Sequence, residues 1–311
     1  MANYITIDGG TTNTRISLVK DFEIKDTMKF NVGARAESDN KNLLRETLQI
    51  GIKEILTRNN TAEGDICRIL ASGMITSEFG ICHLEHIVAP AGISELKESM
   101  GEVVFEDISP IPFVFIRGIK MIGNDLWQTD MMRGEETEFA GLSSYGSGVY
   151  VLPGSHSKVI FADESGRITS FHTMLTGEMI EALSQNTILK DAVDLCHAKI
   201  SEEYLLKGYS CCKELGINRA LFKVRILKNI FGKNADETYS FFVGALLFGE
   251  IDEILKINPE RIVIGGRLQI KSAMSCILKN VSSAEIVCVD EKTADNCVSL
   301  GAIRIFENNR I

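Results

Sequence analysis

The sequence predicts an α/β protein of two similar lobes, each a mixed sheet with flanking helices, around a central cleft. Three observations carry this expectation. An apolar strand over 4–7 runs into Asp8-Gly9-Gly10-Thr11-Thr12-Asn13, and a second strand leaves from Arg15. The order strand, small hydroxyl-rich loop, strand returns near mid-chain, where 149–152 and 157–161 flank Pro153-Gly154-Ser155-His156. Between the two lies Ser143-Ser144-Tyr145-Gly146-Ser147-Gly148, small, polar and glycine-rich, which reads as a linker. The expected lobes are therefore 1–145 and 146–311.

The remaining elements follow from periodicity. Residues 22–30 supply a third antiparallel strand. Residues 40–58 are helical, because Leu43, Leu44, Leu48, Ile52, Ile55 and Leu56 recur at three- and four-residue spacing. Strands follow at 68–71 and 111–116, and a helix is predicted over 131–142. In the second lobe, Glu164-Ser165-Gly166-Arg167 is a turn between strands. Helices are predicted over 178–189, 201–230 and 237–257. A buried-type strand at 261–264 runs into Gly265-Gly266-Arg267. Helix, strand and helix then follow at 269–278, 285–289 and 293–307, the last able to cross back onto the first lobe. Gly244 and Gly249 inside the apolar helix cost about 1 kcal/mol each, which close packing against a neighbouring helix at an interlobe hinge would explain.

Bulk properties narrow the function. The chain has 311 residues, 45% hydrophobic and 24% charged, as in a soluble protein of two ordinary domains. A net charge of −9 argues against nonspecific binding to nucleic acid or an anionic membrane. No run approaches about 18 consecutive apolar residues. The start, Met1-Ala2-Asn3-Tyr4-Ile5, lacks a signal-peptide core, so a cytoplasmic protein is expected. Eight scattered cysteines without Cys-x-x-Cys fit reduced, mostly buried thiols, with Cys211-Cys212 on a packed helix face. Cys82, His83 and His86 lack the partners of a structural metal site.

The two hairpins are suited to phosphate. Glycines such as Gly10 and Gly154 let backbone N–H groups approach an oxyanion, and Thr11, Thr12, Ser155 and His156 add donors. Asp8, at the strand end, is placed to hold a divalent metal through water. P-loop, dinucleotide and nucleophile-elbow motifs are missing. This paired arrangement resembles the actin–hexokinase–chaperone ATPase superfamily, whose lobes are of the ribonuclease H-like type. The resemblance implies adenosine at Gly265 and Gly266. Thr176-Gly177-Glu178 opens a helix whose N-terminal donors suit an anion.

A further motif, Asp130-Met131-Met132-Arg133-Gly134-Glu135-Glu136-Thr137-Glu138, lies just before the linker. Transfer of a phosphoryl group to an alcohol needs a carboxylate to accept the hydroxyl proton. In sugar kinases of the superfamily that acid sits here, which makes Glu135 and Glu136 the candidates, with Asp130 behind them. Arg133 suits a substrate carboxylate, because its planar fork binds such groups bidentately. On the residues alone, blander readings stay open: a solvated helix start for the acids, a cap at Thr176, a turn at Gly265-Gly266, a loop-capping role for His156, an exposed lysine at 158.

Met132-Arg133-Gly134-Glu135-Glu136-Thr137 resembles the signature of the 2-dehydro-3-deoxygalactonokinases. So do Ala89-Pro90-Ala91-Gly92-Ile93, Leu152-Pro153-Gly154-Ser155-His156-Ser157-Lys158 and Thr176-Gly177-Glu178. Gly9 departs from relatives that carry Trp there, a change to the cleft wall that leaves phosphate binding intact. The resemblance implies ATP with Mg²⁺ as donor and a six-carbon 2-keto-3-deoxy sugar acid phosphorylated at its terminal hydroxyl. The expected substrate contacts are Arg133, Lys158, Asn13 and Arg15, with Lys158 able instead to neutralise β- and γ-phosphate oxygens; Gly177 joins the nucleotide set, and an oligomer of like chains is open. Two other readings remain: a type III pantothenate kinase, which also opens on Asp-x-Gly-x-Thr-Asn, and a non-catalytic actin-like nucleotide sensor.

Overall fold

The computed structural model describes residues 2–39, 42–195, 199–266 and 268–308. Asn40, Cys196 and Arg267, which figure in the reading above, lie outside the described residues. The chain forms two compact units. One comprises Met1–Ser147, Ala162–Ser170 and Asp295–Ile311; the other comprises Gly148–Phe161 and Phe171–Ala294.

The first unit opens with β1 (Asn3–Gly9), β2 (Thr14–Lys20) and β3 (Glu23–Phe30), an antiparallel meander. Tyr4, Ile5, Thr6 and Ile7 are buried in succession, as expected of a strand covered on both faces. Next come α1 (Ala34–Asp39), α2 (Leu43–Arg58), β4 (Ile66–Gly73), β5 (Ile87–Val88) and α3 (Ile93–Glu98). They are followed by β6 (Gly101–Phe105), β7 (Ser109–Phe115), β8 (Ile119–Met121), β9 (Asp130–Met132) and α4 (Glu135–Leu142). The main sheet has the order β3-β2-β1-β4-β7-β6, and β1, β4 and β7 are parallel. Leu44, Leu48, Ile52 and Ile55 of α2 share a core with Ile5, Ile16, Leu18, Phe113 and Phe115 of the sheet. Each such side chain, fully buried, contributes about 1.5–3 kcal/mol. A small sheet, β5-β8-β9, stands apart from the main one.

The second unit contains β10 (Gly148–Leu152), β11 (Ser157–Ala162) but for its last residue, β12 (Ile168–Met174) from Phe171 onward, α5 (Thr176–Asn186), α6 (Glu202–Leu215), α7 (Ile217–Asn229) and α8 (Ala235–Ile257). It continues with β13 (Arg261–Ile264), α9 (Leu268–Val281) and β14 (Glu285–Cys288). Its sheet runs β12-β11-β10-β13-β14, with β10, β13 and β14 parallel. The sheet thus has the same neighbour pattern as β3-β2-β1-β4-β7. Val149, Val151, Ile262 and Ile264 pack with Phe242, Leu247 and Ile251 of α8. The last helix, α10 (Glu291–Glu307), runs mostly within the first unit. There Ser299 Oγ accepts from Thr6 Oγ1 at 2.8 Å, and Phe306 meets the Tyr4 ring edge-on.

Three expectations change. The helix over 131–142 begins only at Glu135. Residues 130–132 form β9, and Gly134, at φ +113°, breaks the path between them. The helical stretch over 201–230 is two helices separated at Gly216. Gly244 does permit close packing, since a β-carbon there would collide with the Leu205 carbonyl of α6. Gly249 has open space around it, so packing does not explain it.

Candidate active site

In the first unit, the ends of β1 and β4 and the start of α4 converge through glycines. A β-carbon on Gly73 would lie 2.5 Å from the Gly9 carbonyl oxygen, and one on Gly134 would lie 3.3 Å from the Gly73 Cα. A side chain at residue 9 would meet Ile75 Cβ at 2.7 Å, which accounts physically for glycine there. These bare backbones let Asp8, at the end of β1, approach the acids of α4.

Helical spacing then sorts those acids. Glu135 and Glu138 share one face and lie close enough to Asp8 to interact electrostatically. Glu138 is half-buried by surface area, but its carboxyl is turned inward, where burial, then Glu135 and Asp8, push its pKa up to about 8. Arg15, paired with Asp8 across β1 and β2, opposes this, as does a hydrogen bond with Cys297. Burial raises the pKa of Asp8 above the ordinary range, with Arg15 lowering it and Glu135 raising it further. Ser72, beside Asp8 in the β1–β4 register, is buried, and its hydroxyl has no hydrogen-bond partner. Two residues that the motif reading passed over therefore belong here. Glu138 was detectable as the i+3 neighbour of Glu135; nothing in the sequence pointed to Ser72.

Glu136 turns the other way. It is 0% exposed, and both carboxyl oxygens accept from the Gly134 backbone N–H, at 2.9 and 2.8 Å. Burial, then Glu135, push its pKa up to about 8. It ties down the start of α4 from within. Glu135 Oε2 accepts from the Arg133 N–H at 3.1 Å.

Arg133 is spent inside the fold. Its Nη1 donates to the Thr76 carbonyl at 2.8 Å and to Thr76 Oγ1 at 2.6 Å. Its Nη2 donates to the Leu84 carbonyl at 3.0 Å and lies 3.2 Å from His86 Nδ1. Burial and then the Arg133 charge hold the His86 pKa down to about 4, so the imidazole stays neutral and can accept. Arg15 by contrast donates Nη1 to the Asp295 carbonyl at 3.1 Å in an exposed contact. Asp130 ends up on β9, where its Oδ1 accepts from the Met131 N–H.

The first loop, 10–13, presents Thr11, Thr12 and Asn13 to solvent. Gly10 N–H donates to the Asn13 carbonyl at 2.8 Å and closes the turn. Ala34 and Arg35 N–H groups donate to the Gly10 and Thr11 carbonyls from the start of α1. Asn13 Nδ2 donates to Thr12 Oγ1 at 2.9 Å.

In the second unit, the loop 153–156 exposes Gly154, Ser155 and His156. It rests on the start of α5. A β-carbon at Gly177 would collide with the Gly154 carbonyl oxygen, and Glu178 N–H donates to the Ser155 carbonyl at 3.2 Å. His156 Nε2 lies 3.0 Å from Glu178 Oε1. Gly265 N–H donates to the Val151 carbonyl, and Gly266 lies against Pro153. The expected nucleotide-binding residues of this half, Gly154, Ser155, His156, Gly177, Gly265 and Gly266, thus come together. Lys158 does not reach the surface: it is buried, and its Nζ donates to the His156 carbonyl at 3.1 Å.

Comparison with known proteins gives a consistent picture. A family model described as 2-keto-3-deoxy-galactonokinase matches residues 8–305. The 2-dehydro-3-deoxygalactonokinase of Escherichia coli (strain K12) is 26% identical over 254 residues, covering 80% of this chain and 78% of that protein. A candidate enzyme of the same name from Rhizobium meliloti (strain 1021) is 33% identical over 131 residues, 40% of each chain. Among solved structures, a candidate 2-dehydro-3-deoxygalactonokinase from Sinorhizobium meliloti superposes with a TM-score of 0.81 at 21% identity over 98% of both chains. The activator of 2-hydroxyisocaproyl-CoA dehydratase from Clostridium difficile, solved with ADPNP, superposes at 0.56 and 13% identity over 98% of this chain and 95% of that one. At these identities the superpositions speak for the fold, which is that of the actin-like ATPases and sugar kinases.

Proposed function

We propose, for a chain that belongs to the 2-keto-3-deoxy-galactonokinase family, that it transfers the γ-phosphoryl group of ATP to the terminal hydroxyl of 2-dehydro-3-deoxy-D-galactonate, giving the 6-phosphate. Family membership makes the protein a sugar-acid kinase and sets aside the pantothenate kinase and sensor readings. The observation that carries the finer proposal is the cluster of Asp8, Glu135 and Glu138 at the root of the first loop.

Phosphoryl transfer asks mainly for positioning and for charge placed where the transition state needs it. In this reading the N–H groups and hydroxyls of Thr11, Thr12 and Ser155 hold phosphate oxygens, while Gly10 and Gly154, whose own N–H groups close their turns, leave room for the phosphate to approach. His156 adds a donor. Gly177 stands at a helix start, where the dipole favours an anion. Gly265 and Gly266 take the adenosine. Glu135 accepts the acceptor hydroxyl proton, because Glu136 is committed to the Gly134 N–H. Glu138, its pKa raised, keeps its proton near neutral pH and limits repulsion around Glu135. Arg15 reads the sugar-acid carboxylate with Asn13 beside it. Arg133 and Lys158, occupied within their own units, shape the site rather than meet the substrate.

Among the described residues no three acidic, His or Cys side chains form a metal site of their own, which fits an Mg²⁺ carried by the nucleotide phosphates and held by Asp8, a hard oxygen donor, through water. When bound, the ion would neutralise charge on the β- and γ-phosphates. Among the described residues no helix is long and apolar enough to cross a membrane, and a cytoplasmic setting is part of the same proposal.

A panel of 2-keto-3-deoxy acids and simple hexoses with magnesium-ATP, read by ADP release, tests the substrate. The galactonate-derived acid should give the highest kcat/KM, and turnover confined to hexoses would overturn the proposal. Glu135→Gln should lower kcat roughly 10²–10⁴-fold with nucleotide affinity nearly intact. Near-normal turnover in that variant would move the base elsewhere.

A further inference from the structure

Glu250 stands out once the proposed chemistry is accounted for. It lies in the middle of α8, is 1% exposed, and neither of its carboxyl oxygens has a hydrogen-bond partner. Leaving a buried polar group unpaired costs about 1–3 kcal/mol, more if it is charged. Its surroundings are specific. The hydroxyls of Ser157 and Thr176 face the carboxyl without aligned hydrogen bonds. Burial keeps its pKa above the ordinary carboxylate range.

Those two hydroxyls lead straight to the second loop. Ser157 opens β11, and its Oγ accepts from the Gly154 N–H at 3.4 Å. Thr176 opens α5, where Gly177 touches Gly154 and Glu178 N–H holds the Ser155 carbonyl. Both supports of the exposed loop thus stand over one buried carboxyl.

We propose that Glu250 is a positioning residue for the nucleotide loop. From beneath, it anchors the Ser157 and Thr176 hydroxyls and so fixes the backbone of Gly154 and Ser155 in the conformation that receives phosphate. This rests on the reading that the loop binds the phosphates of ATP. Small rotations of either hydroxyl complete the contact.

The test compares Glu250→Met with Glu250→Gln by titration with magnesium-ATP, steady-state kinetics and thermal unfolding. Met fills the same volume and removes a desolvated carboxyl, which offsets the loss of two hydroxyl contacts, so the unfolding midpoint of the Met variant should stay near that of wild type. Its ATP Kd should rise about tenfold while KM for the sugar acid stays nearly unchanged. The amide of the Gln variant can still hold both hydroxyls, so its ATP affinity should stay close to wild type. Unchanged ATP affinity in the Met variant would overturn the proposal. So would a joint loss of stability and of both affinities that Gln fails to rescue. Wild-type protein that binds ATP but phosphorylates no sugar acid would refute the proposed substrate and leave the Glu250 result decisive. Wild type that binds no nucleotide would refute both.

Discussion

The two loops occupy equivalent places in sheets of matching strand order, between β1 and β2 in one unit and β10 and β11 in the other. Their surroundings differ. The first is rooted in carboxylates, with Asp8, Glu135 and Glu138 gathered by backbones that approach without side chains between them. The second rests on a helix start, a close glycine contact and a carboxyl hidden underneath. The shared strand pattern supplies the placement, and the residues at each strand end decide the chemistry. In the proposed reading both loops meet phosphate, and the first adds the acids for metal and proton.

The largest expected effect tests that division. Asp8→Asn removes charge at the first loop and should cut kcat roughly 10²–10³-fold. Ser155→Ala at the second loop should act mainly on the KM for ATP. Steady-state kinetics with both substrates varied would show this, and a kcat collapse in the Ser155 variant would erase the distinction between the loops.

A smaller effect is expected at the support of the second loop. Alanine in a helix is normally favoured over glycine by about 1 kcal/mol. At Gly177 the added carbon meets the Gly154 carbonyl, so Gly177→Ala should instead destabilise and raise KM for ATP about tenfold. Gly154→Ala has open space around it and should leave the unfolding midpoint nearly unchanged, any effect falling on ATP binding alone. Equal behaviour of the two variants would separate the loop from α5.

The smallest effect concerns pH. Glu136 has a folded pKa of about 8 against an ordinary 4.5, so the folded state holds a proton that the unfolded chain releases between those values. Its contribution to stability is complete below about pH 4.5 and is lost as pH rises through about 8. Glu138 in the first unit and Glu250 in the second act in the same sense. Unfolding midpoints should therefore fall from pH 5 to 8.5, and Glu136→Gln should make that fall shallower. An unchanged slope would mean that Glu136 is ionised in its buried position.

Much of the scaffold was legible in the sequence. Local pattern sufficed wherever one element decides its own fate, as in β1, α2, α8 and β13. It failed where distant backbone intervenes. The stretch 131–142 has the composition of a helix, yet β9 pairs with β8 and Gly134 takes a left-handed turn before α4 can start. The fate of Arg133 was equally hidden, because its acceptors, Thr76 and Leu84, lie far back in the chain. Lys158 looked like a free cation, and its burial depends on packing that no local motif reveals. Glu136 and Glu138 differ only in which way α4 turns them. That rotation is set by where the helix begins, so the misplaced start also concealed which acid faces Asp8.

The meeting of Gly9, Gly73 and Gly134 has a practical consequence. The spacing between Asp8 and the acids of α4 is held there by bare main chain, so there is nothing to trim and no room to add. Anyone redirecting this enzyme to a new acceptor should leave that seam alone and vary the solvent-facing rim, where Thr12 and Asn13 have space around them.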